Sequence, residues 1–342
     1  GQFDPAVPRP RSRLADRPHD LGQRALNRIC VVGAGAIGGW IAGALAAAGK
    51  TVSLVARGAT LKAIETAGLR FDDADRSHCV AIPATGDPAS LGVQDLVVIA
   101  VKAPALPGLA RSLRPLIGPD TILVPMLNGV PWWFTGQRLR SVDPDGVIAD
   151  SLPRDQVIGC VVHASCFRAG PNHVVVKHAE RLIFGEPAGG TSARVAEVCA
   201  LFEDAGIRSE EGDNIRRATW YKLWGNATIN PLSALTRATA DRLLEDPAIR
   251  AFMAEAMDEL AALGAAIGCP IGETAEDRMA VTARLGAFKS SMLQDVEAGR
   301  RIELEALLGA PLEIAREVGI ETPQLDRLYA MTRLMAENLR LL

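Results

Sequence analysis

Aromatic residues are scarce in this chain, at 4% of 342 residues. With so few rings, each of the five tryptophans marks a place where something packs. Neither sign of charge is in large excess, and the formal net charge is −3. That leaves no basic footprint for nucleic acid or an anionic membrane, and neither partner is expected. Long hydrophobic runs are missing as well. Stretches such as "DLVVIAVKAPAL" (95–106) are broken by charge or proline before the roughly 18 residues that a membrane span needs.

Paired cysteine motifs are also lacking. Cys30, Cys79, Cys160, Cys166, Cys199 and Cys269 include no CxxC pair, and with His19, His78, His163, His173 and His178 they form no zinc-type spacing. No metal is expected, and cysteines in apolar runs read as small hydrophobes in a reducing, cytoplasmic setting. Residues 1–27 are rich in Pro and Arg and have no apolar segment of the secretory type, so they read as a flexible tail.

What is present is an apolar fraction of 48% over a length suited to two domains. Ile29–Val32 reads as a short buried strand, Ile37–Ala48 as a helix stopped by Gly49, and Val52–Val55 as a second strand. "LKAIETAGLRF" continues with a helix ending near Gly68. "DLVVIAVKA" and "TILVPMLNG" are strands separated by the helical "LARSLRPLI". This alternation predicts a doubly wound parallel sheet of the α/β class. Residues 131–156 read as a loop carrying "PWWF". "VIGCVVHASC" and "NHVVVKHAE" form a hairpin, "RLIFGEP" is one more strand, and "SARVAEVCALFEDAG" is a helix closed by Gly206. Beyond about residue 213 only helical periodicities remain, including "LGAFKSSMLQDVEAGR" and a helix starting at Thr322–Pro323. The expected division is a Rossmann-type nucleotide-binding domain over 28–212 followed by an all-helical domain over 213–342.

The first strand–helix junction carries Gly33, Gly35 and Gly38, a GxGxxG in its required context. The first glycine permits the tight turn, the second lets backbone approach a pyrophosphate, and the third lets helix and strand pack closely. The loop Gly33, Ala34, Gly35, Ala36, Ile37, Gly38 is therefore the expected phosphate cradle, with the helix N-terminus facing the anion. In NAD enzymes an acidic residue at the end of the next strand takes the ribose 2′-OH. Here that place reads "SLVARG", and Arg57 suits a 2′-phosphate, so the expected cofactor is NADP(H). Lys102 and Asn128 end two further strands and face the same crevice.

"WYKLWGNATINPL" (220–232) places Lys222, Asn226 and Asn230 at i, i+4 and i+8 on one helix face. Periodicity alone allows a solvated polar stripe or a working surface. Pro231 is expected to bend or end the helix after Asn230. A lysine partly buried beside Trp220, Leu223 and Trp224 could act as a general acid toward a carbonyl oxygen that gains charge. Two amides could hold hydroxyl or carboxylate groups without adding charge.

The segments "VVGAGAIGG", "VARG", "VKA", "NGVP", "GEP", "WYKLWGNATINPLSALT" and "SSMLQDVEAGRRIELEALLGA" resemble, in order and spacing, the ketopantoate reductases (2-dehydropantoate 2-reductases). The resemblance covers nearly all of the chain beyond the tail. It implies NADPH-dependent reduction of a 2-keto acid to a 2-hydroxy acid, in the pantothenate route 2-dehydropantoate to pantoate, at a cleft between the two domains. It implies Lys222 as the catalytic lysine, with Asn226, Asn230 and Ser291 as substrate contacts. It further implies that Asn128 touches both substrate and cofactor, that Lys102 and the Ala164 backbone contact cofactor, and that Glu303 lies where cofactor and substrate meet. Whether Glu303 orients Lys222 or a ribose or substrate hydroxyl stays open. Departures fall at Ala240 and Leu308, where the family pattern has asparagine, and in the long "PWWF" loop. A keto or hydroxy acid other than ketopantoate is the alternative. A non-catalytic NADP(H) sensor on the same fold would need only the glycine loop and Arg57. Apolar C-terminal helices suggest a homodimer.

Overall fold

The short apolar runs pair as buried strands, because β-branched tetrapeptides flanked by turn residues satisfy their backbone groups only in a ladder. The computed structural model describes residues 26–74 and 76–342. The first part of the chain runs β1 (Ile29–Val32), α1 (Ala36–Ala47), β2 (Val52–Val55), α2 (Gly58–Ala67), β3 (Leu69–Asp73), β4 (Arg76–Val80), β5 (Ala84–Thr85), β6 (Leu96–Ile99), α3 (Leu106–Leu109) and β7 (Ile122–Pro125). Then come α4 (Val147–Ser151), β8 (Gly159–Gly170), β9 (His173–Gly185), α5 (Ala193–Asp204) and β10 (Ser209–Glu211). Helices occupy the rest: α6 (Ile215–Thr236), α7 (Ala240–Glu245), α8 (Pro247–Ala266), α9 (Ala275–Ala283), α10 (Ser291–Glu297), α11 (Ala310–Val318) and α12 (Pro323–Leu339).

The first sheet has the order β5-β2-β1-β6-β7, and every pairing is parallel. The chain leaves β1 toward β2 and later returns on its other side at β6. A ligand crevice therefore opens at the carboxyl ends of β1 and β6. Both faces of this sheet are buried. Ile29 and Val31 pack with Ile41 and Leu45 on one side, whereas Cys30 and Val32 join a core that runs through Trp133 and Trp220 to Leu260 and Leu328. That second core passes unbroken from the sheet into the C-terminal helices.

A second sheet, β10-β9-β3-β4 with β8 paired antiparallel to β9, covers α1 from the other side. Two glycines inside α1 make this possible. A Cβ at Gly39 would stand 2.7 Å from Val174, and one at Gly43 would stand 2.5 Å from Phe71. The expected hairpin of "VIGCVVHASC" and "NHVVVKHAE" is its β8–β9 part, whereas β3, β4 and β10 are not announced by the sequence pattern. The strands β3 and β4 are short and carry the charges of "RFDD" and "RSH"; β3 buries Leu69 and Phe71, and β4 is largely exposed. "RLIFGEP" is the second half of β9 rather than a separate strand, because bulges at His163/Ala164 and Ser165/Cys166 let the hairpin continue.

Other expectations are corrected in detail. "LARSLRPLI" is almost wholly a 3₁₀ stretch, Ala110–Leu116, after the α turn that ends at Leu109, and it contains Pro115, which cannot supply an α-type N–H. The loop over 131–156 holds α4 and a 3₁₀ turn, and its Trp132, Trp133 and Phe134 are buried, with Phe134 stacked on Trp220. Within "LGAFKSSMLQDVEAGR" only Ser291–Glu297 is helical. Pro231 does not end its helix: α6 continues to Thr236. Burial holds it, since Trp220 and Trp224 donate their indole N–H groups to Leu260 and Met257 of α8 at 3.0 and 2.8 Å. Thr322 begins α12, but the orphan N–H groups of Gln324 and Leu325 are capped by Glu259. The first 25 residues of the expected tail lie outside the described residues.

Candidate active site

The glycine loop has the geometry that its sequence implies. Gly33 has φ +102°, and a Cβ there would also strike Val101 at 2.7 Å. A Cβ on Gly38 would fall 1.9 Å from the Gly33 carbonyl oxygen, so only glycine lets α1 start this close to β1. At Gly35 the nearest atom to a Cβ would be Ala100 O at 3.9 Å, an ordinary contact without a clash. Gly35 caps α1 with no side chain of its own, and no acidic residue sits in the first turn. The exposed N–H groups and the positive helix end thus face an open cradle, which fits a dinucleotide pyrophosphate. Arg57 stands exposed at the end of β2, as the N-cap of α2.

Lys222 projects from α6 into the seam between β7 and β8. Its Nζ donates to Asn128 Oδ1 at 2.9 Å and to the Val162 carbonyl at 2.7 Å. The other end of the Asn128 amide, Nδ2, donates to Glu303 Oε2 at 3.3 Å, and Glu303 Oε1 accepts from the Ala103 N–H at 3.2 Å. An ammonium can only donate, so the amide oxygen must face Lys222 and the NH₂ must face Glu303. Lys222, Asn128 and Glu303 therefore form one chain of bonds, and Glu303 reaches Lys222 through Asn128. Burial pulls the Lys222 ammonium down to about 8, against the opposing pull of Cys160 and Glu303. Burial likewise pushes the Glu303 carboxyl up, opposed by the Ala103 N–H, Lys102 and Asn128.

Four elements converge here because each brings a backbone constraint. Gly129, with φ +75°, lies so close to the Ala306 carbonyl that a Cβ would come within 2.3 Å of it. Val130 donates to the same carbonyl at 2.7 Å. Residues Glu305–Gly309 form a π-helical turn just after Glu303, a widening found often near functional positions. Leu308 lies wholly buried in that turn, and Ala240 is buried at the start of α7.

The remaining expected residues fall into two further groups. Asn230 is buried on α6 and donates to Ser291 Oγ at 3.3 Å, with Ser291 exposed at the first position of α10. Asn226, one turn from Lys222, is half-buried. Lys102 pairs with Asp295 of α10, whose other oxygen accepts from Arg300 at 2.9 Å. Ala164 sits half-buried at the bulge in β8, two residues beyond Val162.

Two family descriptions match the chain and together span most of it. "Ketopantoate reductase PanE/ApbA" covers residues 29–189, and "Ketopantoate reductase PanE/ApbA C terminal" covers 214–336. The chain belongs to the ketopantoate reductase family. Among its relatives, a 2-dehydropantoate 2-reductase of Mesorhizobium japonicum is 39% identical over 322 residues, covering 90% of this chain and 98% of the relative. A crystal structure from Ralstonia solanacearum, described provisionally as a ketopantoate reductase, is 49% identical with a TM-score of 0.90, over 93% of this chain and all of that one. The 2-dehydropantoate 2-reductase structure from Methylococcus capsulatus is 29% identical with a TM-score of 0.79, over 91% of this chain and 97% of the other.

As a ketopantoate reductase family member, the protein is an oxidoreductase acting on CH–OH groups. No helix among the described residues is long and apolar enough to cross a membrane. The motifs did not reveal every residue of the site. The Val162 carbonyl and the Ala103 N–H are backbone groups, which a sequence pattern cannot single out. Asp295 sits inside the matched "SSMLQDVEAG" segment, yet only its burial shows that it holds Lys102 and Arg300. His163, next to Val162 on β8, is pushed down to about 4 by burial first and then by Lys222.

Proposed function

We propose that this protein reduces a 2-keto acid, foremost 2-dehydropantoate, to the 2-hydroxy acid with NADPH, as a cytoplasmic enzyme of pantothenate formation. The observation that carries this is Lys222: a half-buried ammonium with two acceptors, set at the carboxyl edge of the parallel sheet. When bound, the dinucleotide supplies a hydride to the carbonyl carbon. Gly33, Ala34, Gly35, Ala36, Ile37 and Gly38 hold its pyrophosphate, and Arg57 meets the 2′-phosphate. Lys102 and the Ala164 backbone lie along the same cleft. In this reading residues 28–212 carry the dinucleotide and 213–342 the acid.

Lys222 stabilises the oxygen that gains charge and gives it a proton, a contribution of roughly 10²–10⁴-fold. Asn128 aims the ammonium, and Glu303 fixes the orientation of Asn128. Asn226, Asn230 and Ser291 hold the substrate along the same edge of α6. Met331, Leu334 and Leu339 are exposed on α12 and support a homodimer. The test is NADPH oxidation across a panel of 2-keto acids, with Lys222→Ala as control. The panel is wide because Ala240 and Leu308 depart from the family pattern. Turnover of no member above that control refutes the proposal.

A further inference from the structure

Gly225 lies in the middle of α6, where glycine is the least favourable residue short of proline. The reason for it is Arg278 of α9. A Cβ at position 225 would stand 2.9 Å from Arg278 Nε, 3.0 Å from its Nη2 and 3.3 Å from its Cζ. The guanidinium therefore occupies the gap that the missing side chain leaves. It also lies over the Tyr221 ring, 5.1 Å from the centroid, while the Tyr221 hydroxyl donates to Glu273 at 2.8 Å. Arg278 Nε is buried and makes no hydrogen bond. None of the ion pairs among the described residues involves Arg278. Arg278 as a whole is half-buried, so the rest of its planar set of donors stays within reach of solvent or a ligand.

The position is informative. Gly225 is three residues on from Lys222 and immediately precedes Asn226, so Arg278 borders the same helix edge. The other cations nearby are already engaged. Lys222 is bonded to Asn128 and Val162, Lys102 and Arg300 share Asp295, and Arg301 donates to the Pro104 carbonyl. Arg278 is also among the charges that keep His163 from protonating, so its field reaches the strand that contacts Lys222. Asn226, Asn230 and Ser291 are neutral. Arg278 rests on Tyr221 but holds no carboxylate among the described residues, so an anionic substrate on this edge can pair with it, and a guanidinium matches a carboxylate in shape as well as charge.

We propose that Arg278 is a specificity-determining residue that receives the carboxylate of the 2-keto acid, at the edge of α6 made accessible by Gly225. This rests on the 2-keto acid reductase reading above. It leaves Asn230, two turns along α6 from Lys222, and its partner Ser291 of α10 to the far end of the substrate.

The experiment compares wild type, Arg278→Met, Arg278→Lys and Gly225→Ala with a 2-keto acid that the wild type reduces and with the neutral primary amide of that acid. Arg278→Met should raise KM for the acid about 10²-fold, the scale of a charge-assisted pair, while kcat changes little. The amide should respond by less than about threefold, because it has no charge to pair. Arg278→Lys should fall between, since the charge stays and the fork is lost. Gly225→Ala should displace the guanidinium and shift KM for the acid in the same direction, and it provides the comparison if Arg278→Met does not fold. Equal losses for acid and amide, or an unchanged KM for the acid, overturn the assignment while leaving the reductase reading intact. A wild type that reduces no 2-keto acid overturns both.

Discussion

The depressed Lys222 ammonium makes a quantitative demand on the pH profile. With the group pulled down from 10.5 to about 8, roughly nine-tenths of it carries its proton at pH 7 and about one-tenth at pH 9. If Lys222 is the general acid, kcat/KM for keto-acid reduction is level below about pH 8 and falls about tenfold per pH unit above it. Lys222→Ala should lower the rate by roughly 10²–10⁴-fold and remove this limb. The same shift acts on stability. Between pH 8 and 10.5 the unfolded chain holds the proton and the folded chain does not, so Lys222 makes the fold more stable as pH rises through this window. Below pH 8 its burial costs up to about 3 kcal/mol. Lys222→Met should therefore be more stable than wild type at pH 7 by some part of that amount, with the lost bonds to Asn128 and Val162 reducing the gain. The advantage should shrink toward pH 10.5 at up to about 1.4 kcal/mol per unit, measured by urea denaturation of both proteins. A wild-type rate that stays level to pH 10, or an alkaline limb that persists in Lys222→Ala, refutes this assignment.

Arg57→Asp should weaken NADPH far more than NADH in a binding titration, and equal losses would remove the 2′-phosphate argument. Gly38→Ala puts a Cβ 1.9 Å from the Gly33 carbonyl oxygen, so melting temperature and dinucleotide affinity should fall together. An unaltered melting curve would contradict the close approach. His163 is held to about 4, below its unfolded value near 6.5, so its contribution to stability is lost as pH drops through that interval. His163→Gln should flatten this part of the stability–pH curve, and an unchanged slope would mean that the imidazole is not buried as described. Asn128→Ala breaks the link between Lys222 and Glu303, so it should reduce kcat more than it changes NADPH affinity; the reverse ranking would deny its aiming role.

Much of the architecture is legible where residues must meet a backbone condition. The Gly33, Gly35 and Gly38 loop could be read because Gly33 and Gly38 have a steric duty, and the buried tetrapeptides because they bury alternate residues on two faces. The Lys222–Asn226–Asn230 face was legible as geometry but not as chemistry, since periodicity alone allows a solvated stripe. Of the second sheet only the β8–β9 hairpin was legible; β3 and β4 escaped notice because they are short, carry charges and gain their place from α1 and β9. Pro231 misled in the opposite direction. A local rule against proline was outweighed by tertiary packing through Trp220 and Trp224. Arg278 went unnoticed because its meaning depends on a glycine more than fifty residues away.

The burial of α1 between two sheets has a mechanical consequence. A helix that is held on one side can rock. This one is pressed against β1 through Gly38 and against Val174 and Phe71 through Gly39 and Gly43, with no side-chain cushion at any of the three. Its amino end is therefore a fixed reference point, and little ordering entropy is left for an incoming anion to remove. Any adjustment to a particular acid falls to the elements opposite, the edge of α6 and the short α10. Evolution of new substrates in such a scaffold can then proceed on one wall of the cleft without disturbing the other.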